Sequence, residues 1–111
     1  MEGEAVTTQD TTPNQARIDV PPTEIAAFCK RYHIQELSLF GSVLRDDFRP
    51  GSDIDVLVEF EPEARIGLKF FKIEDELSEL LGRSVDLTTK DGLHALIRND
   101  VLAKRKVIYA A

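Results

Sequence analysis

The sequence predicts an α/β (α+β) domain, a small mixed β-sheet of three to four strands with helices packed against it. Three observations carry this. Residues 52–60 read Ser-Asp-Ile-Asp-Val-Leu-Val-Glu-Phe, and in an extended chain Ile54, Val56, Val58 and Phe60 form an apolar row on one face. Two other segments repeat apolar residues at spacings of three and four: Ile25, Phe28, Cys29 and Tyr32, then Ile66, Phe70, Ile73, Leu77 and Leu80. That is the period of a helix burying one side. Arg83 to Thr88 alternates again after the second helix, so strands and helices interleave.

Met1 to Val20 is rich in Thr, Glu, Gln and Asp and has no apolar period. It is expected to be a mobile tail (1–20) ahead of one domain (21–111), because it cannot bury enough surface to offset the entropy of ordering. Pro21-Pro22-Thr23 punctuates the chain; Thr23 suits a helix N-cap and Glu24 the positive end of the helix dipole. Cys29 lies on the buried stripe with Lys30 and Arg31 turned away from it, so it reads as a packing residue and not a reactive thiol. Glu36 to Phe40 is expected as the first strand, with Leu37 and Leu39 on one face, and Ser42 to Asp46 as a helical turn. Phe48-Arg49-Pro50-Gly51 forms the loop back into the 52–60 strand, with Arg49 a loop charge. Pro62 cannot continue a central ladder and ends that strand.

In the helix that follows, Glu74, Asp75, Glu76 and Glu79 lie mostly off the apolar stripe and are expected to be its solvated face. Gly82 supplies its stop. Beyond the third strand, a helix from Leu93 to Arg98 is expected to turn Leu93, Leu96 and Ile97 inward. Asn99 and Asp100 interrupt it, residues 101–106 resume it, and Val107-Ile108-Tyr109 make a last edge strand.

At 111 residues the chain has the length of one domain. Its net charge of -6 argues against sequence-independent nucleic-acid binding, which rests on Lys and Arg neutralising phosphates. The single cysteine cannot form an internal disulfide, and no apolar run approaches the ~20 residues of a membrane span. With no apolar signal core at the N-terminus, a soluble cytoplasmic protein is expected, with no direct nucleic-acid partner and no membrane.

Leu39 to Glu59 concentrates the chemistry. A strand breaks at Gly41, offers the Ser42 hydroxyl and the Arg45 cation, and returns through Pro50-Gly51 into a strand carrying Asp53 and Asp55 on one face. Two carboxylates this close repel unless a cation neutralises them or one binds a proton. Hard oxygens of this kind suit Mg²⁺, which takes one or two carboxylates together with substrate phosphates. Gly41 lets a backbone come near a phosphate, and Ser42 with the amides after it can open an anion-attracting turn. An anion site beside a metal site points to a nucleoside triphosphate. Asp86 sits between Val85 and Leu87 and turns away from their face, an unusual acid in a strand. His33 and His94 have no partner at metal-ligand spacing and read as non-ligands.

Gly41-Ser42, Arg45 and Ser52-Asp53-Ile54-Asp55, followed by Val-Leu-Val, closely resemble the signature of the minimal nucleotidyltransferases of the DNA polymerase β superfamily. The resemblance runs from about Thr23 to the last residue. It implies the polymerase β-like nucleotidyltransferase fold, with Asp53, Asp55 and Asp86 as catalytic residues and ligands of two Mg²⁺ ions, and ATP as substrate. Gly41 and Ser42 would bind its β and γ phosphates, with Arg45 and Ser52 as further nucleotide-binding positions. Arg45 also has a plain alternative, a surface ion pair with Asp46 or Asp47. Asp46 stands where the family often has glycine, and Leu44 where it often has a small residue, which leaves the pocket's shape open.

Small stand-alone members of that family look like antitoxins paired with HEPN-domain ribonuclease toxins. The resemblance therefore implies transfer of AMP from ATP to a protein hydroxyl, a tyrosine of a cognate HEPN toxin. The acidic balance would complement a basic, RNA-handling partner. Two other classes stay open: a non-catalytic module that silences its partner by contact, and a nucleotidyltransferase acting on a small-molecule hydroxyl.

Overall fold

A computed structural model describes residues 20–45 and 53–111. Pro22–Arg31 form α1, entered from Pro21. Pro22 is tolerated in the first turn because its missing N–H would have had no helical partner there, and Thr23 lies inside the helix instead of capping it. Ile25, Phe28 and Cys29 are buried as the stripe requires. Tyr32, the C-cap, packs edge-on against Phe28 with ring centroids 5.3 Å apart.

β1 (Ile34–Phe40) begins ahead of the expected Glu36 and buries Leu37 and Leu39. A 3-10 turn (Gly41–Leu44) follows. β2 (Ile54–Phe60) starts after Asp53, which stands exposed just before it. α2 (Lys69–Leu81) buries Ile73, Leu77 and Leu81, while Ile66, Phe70 and Leu80 pack at its margin. It stops at Gly82, where φ of +71° is a left-handed conformation that a Cβ would penalise. β3 (Val85–Thr89), α3 (Ala95–Lys104) and β4 (Lys106–Ala110) complete the fold.

The strands lie in the order β3-β2-β1-β4, with β1 antiparallel to β2 and β4, and β2 parallel to β3. The sheet is mixed, as expected. α1 and α2 cover one face, over Leu37, Leu39, Ile54, Val56, Val58, Val85 and Leu87. Full burial of a side chain such as Phe28 or Ile73 contributes about 1.5–3 kcal/mol, so this face carries most of the stability.

The alternation that puts Val56 in that core turns Leu57 to the other face, together with Asp55. Leu57 is nevertheless buried, against Leu93 and Val101 with Phe40 and Leu102 alongside. This second cluster lays α3 across the acid-bearing face. Two expectations are corrected here. The helix runs unbroken through Asn99 and Asp100, because both residues are only mildly unfavourable in a helix and Asp100 pairs with Lys104 one turn on, at 3.0 Å. Leu96 and Ile97 do not turn inward but are 87% and 47% exposed. The acid-bearing face offers Leu57 and Phe40 as apolar partners, enough to cover Leu93 and Val101 but not the first turn of α3.

The expected tail lies outside the described residues except for Val20, which packs against the core. Asp46, Asp47, the 48–51 loop with Arg49, and Ser52 also lie outside them. Among the described residues no helix is long and apolar enough to cross a membrane.

Candidate functional site

Asp55 of β2 and Asp86 of β3 are direct partners in the parallel register, on strands about 4.8 Å apart. On its other flank Asp55 faces Phe40 of β1. Asp53 precedes it by two residues and is exposed, as is Asp86, while Asp55 is half-buried. The Asp55 carboxyl is held above the usual carboxylate range, first by burial, then by the negative charges of Asp86 and Asp53, against the opposing pull of Arg45. The three acids and the motif arginine therefore share one electrostatic site.

Gly41 closes that site from above. Its φ is +78°, and a methyl group there would run into Oδ2 of Asp55. Position 41 thus excludes a side chain for two independent reasons, only one of which, backbone freedom, is visible in the sequence. Ser42 is the second residue of the turn, and its carbonyl accepts the Arg45 amide at 2.9 Å. That bond closes the turn and returns Arg45 toward the acids.

β3 is an edge strand, and Asp86 would be poorly held without help from α2. The amide of Val85 donates to Oγ of Ser78 at 3.0 Å and that of Leu87 to Oε2 of Glu74 at 2.9 Å. Side chains four apart on a helix and amides two apart on a strand have closely matching spacings, so α2 clamps the free edge on both sides of Asp86. Glu76 accepts the Tyr32 hydroxyl at 2.6 Å and pairs with Arg31. The expectation that Glu74 and Glu76 merely face solvent is corrected: both are structural acceptors. The one sequence signal for the clamp was Glu74 and Ser78 at i, i+4.

Can these residues hold a divalent cation? The donors are hard carboxylate oxygens, and the ionised form of Asp55 is disfavoured first by burial and then by the charges of Asp86 and Asp53, so a cation between them would relieve the repulsion. Among the described residues no group of three or more His, Cys, Asp or Glu forms a ready-made cage. Mg²⁺ needs none, since it is held by one or two carboxylates plus phosphate oxygens and water. The set fits Mg²⁺ brought in with a phosphate substrate.

A cleft of about 730 Å³ adjoins the acids and meets them at Gly41. Phe40, Gly41, Leu44 and Arg45 line one side, and Ile97, Val101, Lys104 and Lys106 the other. None of the three acids lines it. Its size is that of a small-molecule pocket, and its lining combines apolar side chains with four cations and one acid, Asp100. Nothing in the local sequence pattern announced it, because α3 and the start of β4 lie far along the chain from the turn they face.

Of the other residues singled out, Cys29 is buried, and burial pushes its thiol up to about 12, which matches the inert reading. The His94 ring accepts the Leu96 amide at 3.1 Å and caps α3. His33 takes a left-handed φ of 57° and stands 3.7 Å from Glu61.

Residues 23–108 match the model of the nucleotidyltransferase domain family. A protein adenylyltransferase of Thermococcus cleftensis, MntA, is 40% identical over 80 residues, covering 72% of this chain and 78% of that one. A Methanocaldococcus jannaschii protein provisionally named a protein adenylyltransferase is 45% identical over 64 residues, covering 58% of this chain and 64% of its own. Among solved structures, a protein provisionally described as a minimal nucleotidyltransferase superimposes with a TM-score of 0.63 at 28% identity, over 95% of this chain and 94% of that one. A toxin-antitoxin structure with AMP-PNP superimposes at 0.65 and 19% identity, over 83% and 75%. The complex of tri-AMPylated Shewanella oneidensis HEPN toxin with its MNT antitoxin does so at 0.58 and 20%, over 81% and 70%. At those identities the last two likenesses are of fold.

Proposed function

The chain belongs to the nucleotidyltransferase domain family, and on that premise we propose that it is a protein adenylyltransferase, the antitoxin that transfers AMP from ATP to a tyrosine hydroxyl of a cognate HEPN toxin in the cytoplasm. The observation that carries this reading is the register pairing of Asp55 with Asp86 beside Gly41. The 40% identity to a protein adenylyltransferase supports the choice of reaction, and the fold shared with antitoxins in toxin complexes supports the choice of partner.

In the reaction the acceptor oxygen attacks the α-phosphorus of ATP, the bond to the bridging oxygen breaks, pyrophosphate leaves, and the hydroxyl proton passes to water. Asp53, Asp55 and Asp86 would hold two Mg²⁺ ions, which when bound neutralise the phosphate oxygens and make the hydroxyl more acidic. The chain's own part is positional. The Gly41 amide region and Ser42 hold the β and γ phosphates in the opening of the 3-10 turn. Arg45, beside Asp55, adds positive charge where the phosphate chain passes from the turn to the acids. Ser52, next to Asp53 in sequence, is proposed to contact the nucleotide too. Glu74 and Ser78 keep Asp86 at its height on the edge strand.

The test is transfer of label from α-labelled ATP to the copurified partner in the presence of Mg²⁺. Label on a partner tyrosine is expected, and the Asp53→Asn, Asp55→Asn double variant should give none while keeping its fold. A partner that stays unlabelled but is still silenced would replace this reading with contact inhibition.

A further inference from the structure

Four cations line the cleft beside Gly41, and three are already engaged. Arg105 donates from Nε and Nη2 to Oε2 of Glu36, at 3.0 and 2.8 Å. Lys104 holds Asp100 at 3.0 Å. Arg45 acts on Asp55. Lys106 differs from them: it is half-buried, opens β4, and has no ion-pair partner among the described residues. In register it stands opposite Leu39 of β1, where that strand is about to enter the Gly41 turn.

A lysine that lines a cleft without an ion-pair partner is free to meet an anion that arrives there. General attraction of polyanions does not explain it, since the chain as a whole carries a net charge of -6. What the position matches is a phosphate seated at the turn next door. We propose that Lys106 binds the terminal phosphate of the nucleoside triphosphate, so that the pyrophosphate to be released lies between the Gly41-Ser42 turn and the ammonium. This rests on the reading of the chain as an ATP-using transferase. It adds a residue outside the motif that carries the resemblance, and it accounts for the cationic side of the cleft.

Isothermal titration of the full chain with AMP-PNP and with ADP, both with Mg²⁺, tests the assignment. ADP lacks the phosphate that Lys106 would hold. Lys106→Met keeps the aliphatic stem and removes the charge. It should weaken AMP-PNP binding about ten- to hundredfold, the usual size of a lost charge-assisted hydrogen bond, with ADP affinity and melting temperature near wild type. Lys106→Arg should restore most of the loss. Equal losses for the two nucleotides, or none for either, would overturn the assignment. If the wild-type chain binds AMP-PNP and labels its partner while Lys106→Met does both equally well, the Lys106 role alone falls. A wild-type chain that binds neither nucleotide would overturn the ATP reading along with it.

Discussion

A methyl group at position 41 and Oδ2 of Asp55 would occupy the same space. The glycine also has φ of +78°, a conformation costing an L-residue roughly 1–2 kcal/mol. Gly41→Ala should therefore lower stability in urea unfolding by about that amount or more, and should cut AMP transfer by displacing a carboxylate of the site. Because part of the cost is a collision with one side chain, Gly41→Ala combined with Asp55→Ala should cost less than the two single changes added. Strict additivity would mean that the turn moves instead of the carboxylate.

Asp55 gives the metal-free protein a pH dependence. Burial, then Asp86 and Asp53, raise its pKa in the folded state, so the folded chain holds that proton more tightly than the unfolded one. The stabilisation is fully present below the ordinary Asp value of about 3.9 and is lost as pH rises through the raised folded value. At neutral pH an ionised Asp55 thus opposes folding. Asp55→Asn should melt above wild type there, with the gap narrowing toward acid pH, while transferase activity disappears. Melting curves in chelator from about pH 4 to 8 follow the trend; a variant melting below wild type at neutral pH would contradict it.

Glu74 holds the edge strand through the Leu87 amide. Glu74→Ala leaves that N–H without its protein acceptor and should cost about 1–2 kcal/mol. The amide of Leu87 should exchange with solvent faster, and AMP transfer should fall because Asp86 sits on the loosened strand. Glu74→Gln keeps a carbonyl oxygen in place and should recover most of both properties. Rapid exchange at Leu87 with unchanged activity would separate the clamp from catalysis.

The residues show why parts of this molecule could be read from sequence and others could not. Ile54, Val56 and Val58 alternate cleanly and α1 and α2 have single apolar stripes, so the sheet's core face follows from periodicity. The Gly-Ser, Asp-x-Asp and strand-borne Asp86 are local patterns too, and the structure puts Asp55 and Asp86 side by side. α3 has no such stripe. Its apolar residues Leu96, Ile97, Val101 and Leu102 do not gather on one stripe, and which of them is buried depends on Leu57, forty-four positions before Val101. Glu74 looked like a solvated acid because its partner is a backbone amide of another element, and its i, i+4 spacing to Ser78 was the one trace of that role. The cationic side of the cleft was hidden likewise, in a Lys-Arg-Lys run whose members do three different things.

Arg105, the middle member of that run, ties the end of α3 to the sheet. Nε and Nη2 both reach Oε2 of Glu36 on β1, with the two side chains only 23% and 21% exposed. So little exposure makes the pair resistant to salt screening, and removing one member strands the other's charge in a partly desolvated place. Arg105→Met should cost about 1.5–3 kcal/mol. Since Arg105 immediately precedes Lys106, the variant should also weaken AMP-PNP binding by loosening the start of β4. Adding Glu36→Gln removes the stranded carboxylate and should return part of the stability, though not the nucleotide affinity, because the helix end is still untethered. Urea unfolding of the single and double variants, alongside AMP-PNP titration, measures the two effects separately; a double variant less stable than Arg105→Met alone would mean that the Ser38 hydroxyl, which donates to the same Glu36 oxygen at 3.4 Å, needs the carboxylate more than the stranded charge costs.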